Sequence, residues 1–339
     1  MRPGQIAEVS QGPRVKLADV AARAGVHPGT ASRALSPDRQ SVLGRGTVQR
    51  VLQAAADLGY EPDLLARALR TQRSFSVGVL MPDPDDPSVL PLLRGIEDGL
   101  AAAGYAALIT GPADRAAALA RMRARHVDGL IVPGRVYAAA PPGAWPPGLP
   151  VVVADSPQAP VRVPAAAVDH AHGARLIRDH LAGLGHQNIG RITRPGDSPG
   201  PHRPGVAHWP GPAETARSAT AEEGRRCAAT LLRQGCTAIA AATDLLAAGA
   251  LAAVTEAGLR CPADITVTGY GDTPLSAALT PPLTTVRLPY FLVGRHAAEL
   301  LLAAIADRAA PAEIRYAAPE LVVRGSCAPE PAVNRQLIE

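Results

Sequence analysis

The sequence predicts an α/β protein with a small all-helical head at its N-terminal side. Three observations predict it. Within residues 15–35 a helical pattern stops and restarts across a short gap. From residue 76 onward, short apolar strands alternate with amphipathic helical segments. Charge is divided in the same way. Residues 1–76 hold eleven Lys or Arg and six Asp or Glu, a net +5, whereas the whole chain is +4, so the rest is −1.

The head reads as follows. "VKLADVAARAGV" (15–26) places Leu17, Val20, Ala21 and Ala24 on one helical face, and Gly25 closes the helix in the left-handed conformation. Val26 points inward. His27 then stands at an N-cap position and Pro28 at the first helical position, where a missing N–H loses nothing. Gly29, Thr30, Ala31, Ser32, Arg33, Ala34 and Leu35 continue this second helix. A third helix over 47–60 carries Val48, Val51, Leu52, Ala55 and Leu58 as its apolar stripe. Two helices joined by so short a turn form a helix-turn-helix, whose second helix has its N-terminal end free to enter a major groove. The basic charge suits a polyanion partner, although an Arg-rich solvated surface accounts for charge alone equally well.

After a short Arg-, Leu- and Ala-rich segment, "EPDLLARALRTQRS" (61–74), the body begins with the strand "SVGVLMPD". "AALIT", "VDGLIVPG", "LPVVVADS", "NIGRIT", "TAIAAATD" and "DITVTGYGD" are further buried strands. Continuous apolar strands between amphipathic helices imply parallel sheets covered on both faces, with ligands at the carboxyl ends of strands. The Pro/Gly-rich stretch between Ile192 and Thr237 reads as loop, and "HRPGVAHW" (202–209) within it as disordered surface.

Other chemistry is excluded. The four cysteines, at 227, 236, 261 and 327, form no CxxC pair and read as buried free thiols. Asp169, His170 and His172 are metal-ligand types, but histidines two apart do not share a helical face. They read as the start of a helix beginning near Gly173. No phosphate loop, nucleophile elbow or acid–base pair suggests an enzyme, and no cofactor is expected. The first twenty residues lack an apolar signal region and no apolar run reaches spanning length, so a cytoplasmic protein without membrane contact is expected.

The succession "LADVAARAGVHPGTASRAL", "TVQRVLQAAADLGYEPDLLARALRTQRS" and "VGVLMPD" resembles the lactose-repressor/galactose-repressor (LacI/GalR) family of bacterial transcription regulators. The likeness continues through "RHVDGLIVPG", "LAGLGHQNIG", "TDLLAAGALAAVTEAGLRCPADITVTGYGD", "PPLTTVRLPYFLVGRHAAELLL" and "PELVVRGS", and covers roughly residues 15 to 327. It implies a repressor that binds a double-stranded DNA operator as a homodimer or tetramer. The body would be like a periplasmic sugar-binding protein, two doubly wound parallel-sheet subdomains around an effector cleft.

By position, the resemblance assigns residues 15–62 to the DNA-binding head, 63–75 to a hinge helix and linker, and 76–327 to the body. The first subdomain would take 76–160 and 290–318, the second 164–287 and 319–327, with chain crossings near 160–164, 287–290 and 318. His27, Pro28, Gly29, Thr30, Ser32 and Arg33 would face the groove. Arg33 can pair bidentately with guanine O6 and N7. Leu69 holds the position of the family's minor-groove wedge, and Arg67, Arg70 and Arg73 are candidate phosphate contacts.

The cleft departs from the family pattern. Ser88 and Val89 stand where two aromatics usually form a stacking platform, Gly271 replaces the first of two late aspartates, and no Arg-x-x-Gly motif follows the "NIGRIT" strand. Asp86, Ser88, Asp155, Thr243 and Asp272 remain as candidates for a sugar-like effector. For Asp155 and Asp272, loop capping is the competing role. A regulator without small-molecule control is the alternative within this class. A sugar-binding α/β protein is the alternative outside it, and the helix-turn-helix argues against that.

Overall fold

The computed structural model describes residues 15–61, 68, 71–81, 87–111, 114–138, 144–155, 163–194, 209–309 and 311–331. The chain divides into an N-terminal unit ending at Ser74 and a second unit beginning at Phe75.

The first unit contains α1 (Leu17–Ala24), α2 (Pro28–Ala34) and α3 (Arg45–Leu58), with one 3-10 segment at Pro37–Val42. Gly25 takes φ 64°, which an L side chain would resist, and this lets the Val26 N–H reach the Ala21 carbonyl at 3.0 Å. The turn therefore closes on itself and sends Val26 back onto the core. That core is built from small residues, Val20, Ala21, Ala24, Ala31, Ala34, Val51, Ala54 and Ala55. Leu52, expected on the α3 stripe, is instead 44% exposed. It stands one residue, or 100° of helix, from Val51, and Ala54 takes the inward place.

In the second unit, six parallel strands form one sheet. They are β1 (Ser76–Leu80), β2 (Ala106–Thr110), β3 (Gly129–Pro133), β4 (Val151–Ala154), β5 (Ala165–Val168) and β11 (Ile314–Ala317), in the order β11-β5-β4-β3-β1-β2. Helices α4 (Val89–Ala101) and α11 (Tyr290–Ala306) cover one face. Helices α5 (Arg115–Ala124) and α6 (Gly134–Ala138) lie with the core of the other. The α4–α11 contact is backbone to backbone. A Cβ at Gly95 would overlap the Phe291 carbonyl, and one at Gly294 the Leu92 carbonyl.

A second parallel sheet has the order β7-β6-β8-β9, from β6 (Ile189–Thr193), β7 (Ala213–Thr215), β8 (Ala238–Ala241) and β9 (Thr266–Thr268). It repeats the device. Helices α8 (Ala221–Arg233) and α9 (Asp244–Glu256) meet at Gly224 and Gly249, where a Cβ would overlap the Leu246 and Ala221 carbonyls. Helix α7 (His170–Gly183) packs on the other face with Trp209. The short helix α10 (Pro274–Ala278) precedes an antiparallel ribbon of β10 (Thr285–Arg287) and β12 (Glu320–Val322). In each parallel sheet the strand order reverses once, between β1 and β3 and between β6 and β8, and ligands bind at such points.

Four expectations need correction. Strand β5 pairs with β4 and β11 in the first sheet, so the chain leaves that sheet after Val168 and not at 160–164. The Pro-rich run before β5 reads as a crossing, yet "AAAV" is fully buried between two strands. The stretch between Ile192 and Thr237 is not all loop, because β7 and α8 lie within it. Gly224, Cys227, Ala228 and Leu231 give α8 a helical apolar stripe, and the Thr220 hydroxyl caps it. Trp209 is core rather than surface, 8% exposed. Finally, α7 begins at His170, not near Gly173, because the Asp169 carboxylate accepts the His172 N–H at 2.8 Å.

All four cysteines are free, but only Cys227 and Cys236 are buried; Cys261 and Cys327 are partly exposed. Among the described residues no group of His, Cys, Asp and Glu is arranged to hold a metal, and no helix is long and apolar enough to cross a membrane.

Candidate functional site

Two surfaces carry the polar chemistry. The first is α2. The His27 backbone is extended, and its Nδ1 accepts the Gly29 N–H at 3.1 Å, so the imidazole is the helix cap. The ring is exposed, as are Pro28 and Arg33, while Gly29, Thr30 and Ser32 are half-buried. Ala31 and Ala34 anchor the opposite face in the core. Arg33 Nε donates to the Gly29 carbonyl at 3.1 Å, which ties the guanidinium back to the first turn of the helix. Ser32 offers its carbonyl to the Ser36 hydroxyl at 2.9 Å. The result is a short helix held from behind by alanines, with a histidine and an arginine on its solvent side. Arg67, Leu69 and Arg70 lie outside the described residues.

The second surface is where strand ends of both sheets meet. Asp155 follows β4 with φ 53°, a left-handed conformation that aspartate tolerates better than most residues. Its Oδ1 is 3.8 Å from His170 Nε2, a pair that is ionic only when the ring is protonated. His170 Nδ1 lies 2.9 Å from the Tyr270 hydroxyl. Tyr270 follows β9, so first-sheet and second-sheet residues face each other through His170 at the start of α7. Burial pushes the Tyr270 phenol well above its usual range, the Asp155 charge adds to this, and Arg194, just after β6, opposes it. The phenol therefore stays protonated and can donate to Nδ1, which puts the proton of a neutral ring on Nε2, towards Asp155. Asp155 Oδ1 is buried and has no hydrogen-bond partner among the described residues, leaving an acceptor for a donor group.

The other cleft candidates do different work. The Thr243 oxygen accepts the Leu246 N–H at 3.1 Å and caps α9. Beside it, the buried Asp244 accepts from the Thr273 backbone N–H at 2.8 Å and hydroxyl at 3.1 Å, and from the Thr285 hydroxyl at 2.5 Å. The Asp272 side chain is 7% exposed, and both its oxygens are occupied, Oδ2 by Arg287 at 2.7 Å and Oδ1 by Arg324 at 2.6 Å. Arg287 stands in β10 and Arg324 follows β12, so Asp272 ties this loop to the ribbon. Ser88 is half-buried at the start of α4, and Asp86 lies outside the described residues.

Sequence reasoning missed Tyr270, Arg194 and the cross-sheet place of His170. Tyr270 sits inside "GYGD", one residue before the position that held attention. Gly173 gave a faint signal, because a Cβ there would strike the Tyr270 ring and the phenol needs that space.

A helix-turn-helix head and a body of two parallel sheets with polar residues gathered at strand ends point to a DNA-binding regulator. The comparisons place it further. Residues 16–63 match the family model "Bacterial regulatory proteins, lacI family", and residues 178–327 match that of a "Periplasmic binding protein-like domain". The chain is 33% identical to an uncharacterized HTH-type transcriptional regulator in the aml 5' region of Streptomyces limosus, over 92% of this chain and 94% of that one. It is 32% identical to the HTH-type transcriptional regulator MalR of Streptomyces coelicolor, over 93% and 97%. The lac repressor dimer bound to operator and the anti-inducer ONPF superposes with a TM-score of 0.73 at 28% identity, covering 93% of this chain and all of that one. The chain belongs to the lacI family of bacterial regulatory proteins, and it is a DNA-binding transcriptional regulator rather than an enzyme.

Proposed function

We propose that the chain is a cytoplasmic, dimeric repressor whose grip on a near-palindromic operator is set by a polyhydroxylated small molecule in the body. Residues 15–62 read the operator, 63–75 form the hinge, and the body from 76 holds the effector and the dimer interface. Through α2, Arg33 and His27 supply the donors, Thr30 and Ser32 phosphate contacts, and Pro28 and Gly29 close backbone approach. Leu69 wedges into the minor groove, flanked by Arg67 and Arg70. In the cleft, Asp155 is the principal effector contact, and Ser88 is a secondary one. The observation that carries the effector reading is the buried Asp155 Oδ1, which accepts no hydrogen bond among the described residues and lies 3.8 Å from His170, itself 2.9 Å from the Tyr270 hydroxyl. A ligand hydroxyl donating there would bind the two sheets together, and coupling to the head follows if the operator favours one arrangement of them.

The test has two stages. A duplex selected from random sequence by the full chain gives the operator. Operator affinity is then measured against a panel of sugars, nucleosides and sugar phosphates. Common hexoses, pentoses and purines should act weakly, since no aromatic platform stands at Ser88 and Val89 and Asp272 is already engaged by two arginines. One panel member should change operator affinity, and Asp155→Asn should abolish that response. If no compound alters affinity, the chain works without small-molecule control, a reading that the double engagement of Asp272 favours.

A further inference from the structure

We infer that Asp128 is a positioning residue for operator binding: its carboxylate pins Phe75 in a left-handed conformation and so sets the direction in which the chain enters the body. This rests on the dimeric operator reading above and deepens it.

Backbone geometry is the first observation. Phe75 is not a glycine, yet it has φ 54°. Few non-glycine residues adopt this conformation, and for a bulky side chain it is an outlier that persists only where the surroundings impose it. The strand that follows does not require it, because Ser76–Leu80 pairs in regular register with both β2 and β3.

The surroundings supply the constraint. The Phe75 N–H donates to Asp128 Oδ2 at 3.0 Å. A carboxylate acceptor makes this the stronger kind of hydrogen bond. The Phe75 carbonyl accepts the Ala106 N–H at 2.9 Å, at the start of β2. The ring lies against Tyr105, with centroids 5.4 Å apart. Asp128 is held in turn, since its own N–H donates to the Ser76 carbonyl at 2.8 Å, just ahead of β3. Both neighbours of β1 in the sheet therefore grip the one residue that precedes it.

The φ torsion acts as a lever. Rotation about the Phe75 N–Cα bond swings the chain before it, and relaxing to an extended φ would turn the N–H away from Asp128. In a dimer, two heads must meet two half-sites at one separation and one rotation. One added base pair turns a half-site by about 35° and shifts it by about 3.4 Å. A pinned joint registers that difference, whereas a loose one absorbs it. Fixing the joint in advance also lowers the ordering cost of binding.

The full chain first selects an operator from random duplex sequence, and its half-site spacing is then varied by one and two base pairs in each direction. Asp128→Ala removes the acceptor. Asp128→Asn keeps a side-chain oxygen that can take the N–H. Phe75→Gly frees the torsion and leaves Asp128 in place, so it decides alone if thermal melting shows Asp128→Ala to be unfolded. The parent should bind its selected spacing on the order of tenfold or more tighter than spacings one base pair shorter or longer. Asp128→Ala and Phe75→Gly should each shrink that preference to less than about threefold, and Asp128→Asn should restore most of it. A merely structural aspartate would weaken all spacings in proportion, and that result overturns the inference. So does an unchanged spacing preference in Phe75→Gly. A parent that enriches no sequence, or only single half-sites, overturns the dimeric operator reading itself, and this inference with it.

Discussion

The head and the cleft solve opposite problems. In α2 each side chain is aimed by residues within a few positions of it: His27 by Gly29, Arg33 by the Gly29 carbonyl, and the whole helix by Ala31 and Ala34 behind it. In the cleft, Asp155, His170 and Tyr270 come from three places in the chain, 15 and 100 residues apart, and meet only because two sheets bring their strand ends together. The contrast teaches how each can change. The reading surface can be rewritten by local substitution, whereas the cleft depends on the packing of the whole body.

The largest test of this contrast is to remove residues 1–74. Specific DNA binding should vanish, a loss on the order of a thousandfold or more. The body should remain folded and dimeric, because its cores are built from its own residues. Circular dichroism and analytical ultracentrifugation read the outcome, and an unfolded or monomeric remainder contradicts the division.

Next come the two aspartates that sequence reasoning treated alike. Asp272→Ala leaves the exposed Arg287 and the half-buried Arg324 without their shared partner and should destabilise the body by about 2 kcal/mol, seen as a lower denaturant midpoint. Asp155→Asn keeps a residue that tolerates positive φ and should leave the midpoint nearly unchanged while removing the effector response. Equal destabilisation by both would mean that Asp155 is structural too.

Arg33→Ala should weaken operator binding by about 2 kcal/mol and relax preference at one base pair per half-site. Its effect on effector affinity for the free protein should be nil, and an effect there would break the separation of the two surfaces.

The smallest effect concerns α7. Burial, and then the neighbouring His186, hold the His180 ring below its ordinary value of 6.5. Its folded pKa is therefore lower than its unfolded one, so the unfolded chain takes up the proton first as pH falls. Stability should decline as pH drops below about 6.5 and level off once the folded ring is also protonated. His180→Gln should flatten that part of the profile in denaturant titrations run across pH.

The helix-turn-helix was legible in the sequence down to the residues that stop and restart it. Gly25, His27 and Pro28 are a stop, a cap and a first helical residue, and such signals act within one turn of helix. The alternation of apolar strands and helices likewise implied covered parallel sheets, because burial on both faces leaves no polar stripe, and the family resemblance implied that there are two. What the sequence did not decide was partnership at long range. "AAAV" at 165–168 joins the first sheet because β4 and β11 flank it, although nothing in those four residues names their neighbours. Asp272 looks like a free cleft carboxylate until Arg287 and Arg324 close on it from the ribbon, and Tyr270 looks like a core residue until β9 sets its hydroxyl against His170. Caps and turns are local interactions and are written locally; the pairing of charges and the aim of side chains across a cleft are products of packing, and only the tertiary structure settles them.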